Sequence, residues 1–262
     1  MSHSRPNQVT DAETEDSTWK SLYRIGGAAA LIAFALFFSD IIVLTTGGSM
    51  PSTASGWFTL MQNNKVAGLL QLFFTDLIGV ALIFPIVFAL YAALRRTNGV
   101  YSAFATGLAV LGIAIVLATN ANYSLVYLGN QYAVATTDAQ RSLLLAEGES
   151  MLAILNGTGP IMGGFLLEGA LVIISVVMLQ GRLRVFSKGI AYLGILAHGL
   201  DVVHSIVLLI FLPFNAGLAS AIGIPLLMIG GTLQLIWYPL VGRRLIQLGR
   251  HESRALPQLS QA

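Results

Sequence analysis

The sequence contains no cysteine among its 262 residues and has few charged side chains. Without cysteine there are no disulfide bonds, no thiolate ligands for iron–sulfur clusters and no thiolate nucleophile. Charged residues make up 10% of the chain, whereas soluble domains carry about 25%. Because 55% of the residues are hydrophobic and the mean hydropathy is +0.76, we expect an integral membrane protein built as one helical bundle.

Several motifs of common enzymes are also absent. The sequence has no phosphate-binding P-loop, no GxSxG nucleophile motif and no HExxH zinc motif. We therefore predict no cofactor and favour a non-enzymatic function over an enzymatic one. The basic pairs Arg95–Arg96 and Arg243–Arg244 indicate contacts with lipid phosphates rather than with nucleic acid.

What the sequence does contain is a series of apolar stretches, each long enough to cross about 30 Å of hydrocarbon. They predict an all-α fold, a six-helix transmembrane bundle within residues 19–244. The remaining residues are predicted to form a disordered cytoplasmic tail at 1–18 and a second cytoplasmic tail at 245–262. The predicted spans are about 22–44, 66–94, 100–119, 152–179, 187–211 and 218–240.

The longest connection, residues 121–150, has helical features of its own. Thr137 followed by Gln140 fits a capping box at a helix start, and Leu143 to Leu145 could lie on the membrane surface. The pattern leaves open whether this helix is interfacial or re-entrant.

Basic residues are distributed on one side of the predicted bundle. Of the fourteen Lys and Arg residues, only Lys65 and Arg141 fall on the side opposite the predicted termini. Since cytoplasmic loops are enriched in Lys and Arg, the pattern predicts that both the N- and C-termini are cytoplasmic in a plasma membrane.

Polar side chains near the middle of the predicted spans define a candidate intramembrane site. A charge at this depth costs about 2.5–3.5 kcal/mol on insertion scales, so such residues are expected to face the bundle interior. The candidate site residues are Asp76, Glu168, His198, Asp201, His204 and Gln234.

Three of these residues belong to the fifth predicted span. At about 100° per residue, His198, Asp201 and His204 fall within one sector of roughly 120°. Such a sector favours a proton or ion relay, as in a proton-coupled small-molecule transporter or a channel-like protein. It also favours a metal site with Asp76 or Glu168 as a further ligand, or a polar pocket for a small molecule or lipid head group. A metal site would support intramembrane hydrolysis. The same residues could instead hold helices together through interhelical hydrogen bonds, worth about 0.6 kcal/mol each.

Three stretches carry a family resemblance: FPIVFALYAALRR at 84–96, LRVFSKGIAYLGIL at 183–196 and LIWYPLVGRRLIQLGR at 235–250. With these stretches the chain resembles bacterial multi-pass membrane proteins of an uncharacterised family, domain of unknown function 4386. The resemblance implies a bacterial or archaeal plasma membrane and about six helices. It implies no activity, no cofactor and no catalytic residue.

Overall fold

A computed structural model describes residues 7–48, 50–72, 74–180 and 185–250 of the chain. Every element in these ranges is an α-helix and none is a strand, which confirms the predicted all-α class. The helices are α1 (Asn7–Thr46), α2 (Ala54–Asn63), α3 (Lys65–Gln71), α4 (Phe74–Ala118), α5 (Asn122–Val134), α6 (Asp138–Leu155), α7 (Thr158–Leu179), α8 (Lys188–Phe211) and α9 (Ala216–Arg250).

Five stretches of these helices are long and apolar enough to cross a membrane. Large apolar side chains also cover the outside of the molecule; Ile25, Leu196 and Ile224, for example, are each more than half exposed. A soluble monomer rarely exposes so much apolar surface, so the outer faces fit a lipid environment. The five stretches are Trp19–Val43, Thr75–Val134, Asp138–Leu179, Lys188–Phe211 and Ala216–Arg250.

The longest helix, α4, is broken at Asn98, whose backbone is extended (φ −153°, ψ 90°). The Asn98 side chain accepts a hydrogen bond from the Tyr101 backbone N–H (3.2 Å), which caps the helical segment that follows. Its amide also donates to Gln180 Oε1 at the end of α7 (2.8 Å). The element therefore consists of a first arm, 74–97, and a second arm, 99–118.

The long helices pack in cyclic order: α1 on α4, α4 on α7, α7 on α8, α8 on α9, and α9 back on α1. Small residues allow several of these close contacts, since a Cβ added at Gly242 on α9 would lie 2.9 Å from the Gly27 carbonyl oxygen on α1. The apolar core between the helices includes the fully buried Leu90, Ile174 and Trp237. This ring encloses the polar residues described below.

Basic side chains join helix ends at one end of the ring. Here the first part of α1, the end of the first arm of α4 and the last turns of α9 come together, so we refer to it as the basic end. The contacts are made by Arg24, which donates to the Gly249 carbonyl (3.1 Å), by Arg244, which donates to the Val185 carbonyl (2.6 Å), and by Arg95, which lies 4.5 Å from the centre of the Trp19 ring.

A cap formed by α2, α3, α5 and α6 covers the opposite end, which we call the capped end. The cap has its own apolar core, in which Phe58 and Leu125 are completely buried. Glu149 on α6 accepts a hydrogen bond from the Ala54 backbone N–H at the start of α2 (2.8 Å). The connection 121–150 thus contains α5 and most of α6, and α6 begins with the predicted Thr137–Gln140 capping box.

Two helix bounds differ from the bounds of the predicted spans. The chain turns between α3 and α4, so the helix that carries Asp76 begins at Phe74 rather than near residue 66. Asp76 consequently lies in the first turn of its helix. The second difference is at the start of α1, which begins at Asn7, inside the segment predicted to be disordered. The membrane helix continues into this segment because extending an existing helix costs little free energy compared with starting a new one.

Replacing Gly112 with alanine is expected to destabilise the bundle by about 1–3 kcal/mol, as overpacking does. A Cβ at this position would lie 2.6 Å from the Leu167 nitrogen and 2.7 Å from the Gly163 oxygen, and these backbone atoms of α7 cannot move aside independently. The matched control is Gly107→Ala on the same arm, where a Cβ would meet no atom within 4 Å. Thermal unfolding in detergent checks this; equal midpoints for the two variants would contradict the close packing of α4 on α7.

Candidate functional site

A cavity of about 390 Å³ lies inside the ring of long helices. Every helix of the ring contributes to its wall, and most of the wall is apolar. Gly164 and Gly231 also line it, and at neither position would an added Cβ meet an atom closer than 4 Å. These glycines leave space that side chains would otherwise fill. The polar lining residues are Asp40, Asp76, Glu168, Asp201, Gln234 and Tyr238.

The Gln234 amide connects two of the carboxyl groups. Its nitrogen donates to Glu168 Oε2 on α7 (3.1 Å) and to Asp201 Oδ2 on α8. Three helices therefore meet at one amide nitrogen on α9. An amide NH₂ group has two hydrogens, so both donors are used and both carboxyl groups are held at fixed positions.

His198 lies behind Glu168 and is completely buried. Its Nδ1 is 2.6 Å from Glu168 Oε2, so one proton is shared between the imidazole and the carboxyl group. The imidazole ring packs edge-on against Trp237, with 4.6 Å between ring centres. His198 Nε2 has no hydrogen-bond partner among the described residues. The wall of the cavity thus contains a continuous chain of hydrogen bonds from His198 through Glu168 and Gln234 to Asp201.

Two further carboxyl groups line the part of the cavity nearer the capped end. Asp40 on α1 accepts a hydrogen bond from the Thr75 hydroxyl (2.7 Å), and its second oxygen is buried without a partner in the described chain. Asp76, one residue after Thr75, makes no hydrogen bond or ion pair with any described residue and is half-buried. The cavity therefore has an inner pair of carboxyl groups, Glu168 and Asp201, and an outer pair, Asp40 and Asp76.

His204 lies apart from this cavity, although it shares the helix sector of His198 and Asp201. Its Nδ1 is 2.8 Å from the Gly223 carbonyl oxygen on α9. A carbonyl accepts, so Nδ1 carries the proton and His204 joins α8 to α9. The structure thus brings five of the six predicted residues together, four on the cavity wall and His198 directly behind it.

The predicted metal ligands do not form a cluster. No group of three His, Asp or Glu side chains within the described ranges has the arrangement that a metal ion requires. His204 Nδ1 is bound to a carbonyl, and His198 Nδ1 to Glu168. The geometry gives the hydrolase hypothesis no specific support.

Three polar or aromatic lining residues were not among the predicted site residues: Phe37, Asp40 and Tyr238. Asp40 lies near the end of its predicted span, where a carboxyl group can reach water, so depth alone did not select it. Its position beside Asp76 results from the packing of α1 on α4, and no sequence pattern reports that contact. Phe37 and Tyr238 have ring centres 5.5 Å apart and form an aromatic wall.

Comparison with known proteins adds no relative: no family model, curated protein or solved structure matches this chain. The resemblance to domain of unknown function 4386 stays a prediction. The helical fold and its apolar outer surface are compatible with a multi-pass membrane protein.

Replacing Gln234 with methionine is expected to destabilise the protein by about 1–3 kcal/mol. The substitution keeps the volume but leaves two buried carboxyl groups without their shared donor. Gln247→Met on the same helix is the matched control, since the described residues give Gln247 a single long hydrogen bond, from Arg244 (3.4 Å). Thermal unfolding of the two variants checks this. If Gln234→Met unfolds at the wild-type temperature, the amide does not hold the carboxyl groups as described.

Proposed function

We propose that the chain is a six-span plasma-membrane protein whose cavity binds a small organic cation without transforming it. Both ends of the chain are cytoplasmic in this proposal. The membrane lipids cover the outer faces of the ring. The cavity inside the ring is the ligand site, and we refer to this cavity as the acidic cavity.

The break at Asn98 supports the count of six spans, because it divides α4 into two arms that return the chain to the opposite side. The basic end supports the orientation. Arg24, Arg95 and Arg244 contact neighbouring helix ends there, and Lys and Arg are enriched on the cytoplasmic side of membrane proteins. A reporter on the C-terminus that is active only outside the cytoplasm would contradict this orientation.

The observation that carries the proposal is the charge of the cavity wall. Four carboxyl groups line it, and no Lys, Arg or His is found among its described lining residues. Four ionised carboxylates in an apolar environment repel each other and have lost most of their hydration. Positive charge must therefore enter the cavity, either as protons or as a bound cation.

The remaining lining residues favour an organic cation with an apolar body. The volume of about 390 Å³ lies within the range of small-molecule sites. Aliphatic side chains such as Ile41, Val80 and Leu167 cover most of the wall, and they offer an apolar body a favourable environment. Phe37 and Tyr238 present aromatic rings, which attract cations through their faces. A protonated or quaternary amine with an apolar body matches the aliphatic lining through its body, and the aromatic rings and carboxyl groups through its charge.

A second candidate function is proton-coupled transport of the same ligand. The hydrogen-bonded chain from His198 through Glu168 and Gln234 to Asp201 favours it, because a carboxyl group that holds a proton must release it when a cation takes its place. Exchange of a proton for a cation is the elementary step of such a transporter. Binding alone does not require this exchange.

The test of binding uses trimethylphenylammonium as the probe and calorimetry in nanodiscs as the measurement. We expect the wild type to bind it and Glu168→Gln and Asp201→Asn each to weaken the affinity by about tenfold or more, because tenfold corresponds to the loss of about 1.4 kcal/mol. The control is Asp138→Asn, which removes an exposed carboxylate of α6 outside the acidic cavity and should leave the affinity unchanged.

Absence of binding to the wild type, or an affinity in both cavity variants equal to that of the wild type, would rule the proposal out. The same titration in two buffers with different heats of ionisation separates the two candidate functions. A heat that depends on the buffer means that protons leave as the cation binds, as coupled transport requires. A heat that is the same in both buffers means that the cation binds without proton release.

A further inference from the structure

A second cavity, of about 530 Å³, lies between the cap and the ring. Its wall comes from the loop before α2, from α2 and α3, from both arms of α4, from the start of α5, from the end of α6 and from the start of α7. Oxygen-bearing side chains are frequent there: Ser52, Gln71, Asp76, Asn120, Asn122 and Asn156. No Lys, Arg or His is found among the described residues of its wall. We call this cavity the vestibule.

Asp76 and Val116 line both the vestibule and the acidic cavity. The two cavities therefore adjoin at these residues. Asp76 is the carboxyl group at the junction, and no described residue binds it. A cation in the vestibule would meet this carboxylate before it meets the other three.

Two buried amides of the vestibule wall have carbonyl oxygens in need of a partner. Gln71 donates to the Gly47 carbonyl and Asn122 donates to the Leu72 carbonyl (2.7 Å), so both amides have fixed orientations. Gln71 is 7% exposed and Asn122 is 4% exposed, and neither carbonyl oxygen has a partner in the described chain. Unpaired buried oxygens make the electrostatic potential of the wall negative, which attracts a positive charge.

The route from the acidic cavity to the basic end is closed by packed side chains. Between the acidic cavity and the basic end, the first arm of α4 contributes Ile86, Leu90 and Leu94, and α9 contributes Val241 and Leu245. All five side chains are at most 1% exposed. The described helices thus leave a polar approach to the acidic cavity from the capped end and an apolar barrier at the basic end.

We propose that the vestibule is an outer cation site and the entry route to the acidic cavity, with Asp76 as the carboxylate that passes the cation inward. This inference rests on the proposed function, because it assumes that the acidic cavity receives a cation. It adds a second site, a direction of entry and a role for Asp76. The ligand class is the same, a small organic cation.

The absence of cysteine from the chain makes the test direct. Each of three variants carries one thiol: Asn156→Cys in the vestibule, Gly231→Cys in the acidic cavity and Gly199→Cys as the control. A Cβ at Gly231 or Gly199 would meet no atom within 4 Å, so both sites accept the side chain. Gly199 lies on α8 and lines neither cavity. Gly164→Cys, also in the acidic cavity, replaces Gly231→Cys if the latter does not fold.

The reagents are two methanethiosulfonates that do not cross membranes, one with a trimethylammonium group and one with a sulfonate group. Each forms a mixed disulfide with the thiolate and releases methanesulfinate. They are applied separately to each face of sealed vesicles, whose orientation is set by protease access to a C-terminal tag. The rate of modification is measured for each variant.

We expect the cationic reagent to modify both Asn156→Cys and Gly231→Cys from the face opposite the C-terminus, at least tenfold faster than the anionic reagent, since negative clefts raise cation association rates by 10-fold or more. Adding Asp76→Asn should slow the modification of Gly231→Cys by about tenfold and that of Asn156→Cys by less. Gly199→Cys should react with neither reagent from either face.

The inference is overturned if Gly231→Cys reacts from the C-terminal face, if the anionic reagent reacts as fast as the cationic one, or if Gly231→Cys reacts from neither face. Asp76→Asn with no effect on either rate would remove the role of Asp76. Failure of this inference is distinguishable from failure of the proposed function. Trimethylphenylammonium binding without entry from the capped end would leave the function intact, and entry without binding would leave only the route.

Discussion

The cost of placing carboxyl groups in an apolar interior is the constraint on which the rest of this structure depends. Hydrocarbon offers no hydrogen bonds, so Glu168 and Asp201 must find donors on neighbouring helices. Gln234 supplies both with one amide nitrogen, and His198 shares a further proton with Glu168. These bonds fix the relative positions of α7, α8 and α9. The packing of these three helices therefore depends on hydrogen bonds as well as on the apolar core.

Hydrogen bonding alone leaves part of that cost uncompensated. Asp201 keeps one buried oxygen without a described partner, as does Asp40, and no described residue makes a hydrogen bond to Asp76. A purely structural role would predict complementary donors for these groups, since native interiors pair nearly all of their buried polar atoms. The open space beside Gly164 and Gly231 points the same way. Unsatisfied carboxyl groups next to unfilled volume are the features of a binding site rather than of an interhelical bond.

Much of this arrangement was predictable from the sequence, because membrane depth and helical period are both encoded locally. The apolar stretches predicted an all-α protein, and the mid-span residues Asp76, Glu168, Asp201 and Gln234 do line one cavity. His204 shows the limit of the sector argument: it shares a face with Asp201 but bonds to the Gly223 carbonyl instead. The position of Asp40 beside Asp76 depends on how α1 packs on α4. The turn between α3 and α4 had no clear signal, and without it Asp76 seemed to be deeper in its helix.

The most direct test of the central claim compares two probes of the same shape. Trimethylphenylammonium and tert-butylbenzene differ in one atom, nitrogen in place of carbon, and hence in one positive charge. Their affinities are measured in the same protein-loaded nanodiscs, with empty nanodiscs as the blank. If the carboxyl groups require a cation, trimethylphenylammonium should bind at least tenfold more tightly than tert-butylbenzene. Equal affinity, or preference for the neutral probe, would mean that the cavity is only an apolar void and would contradict the account.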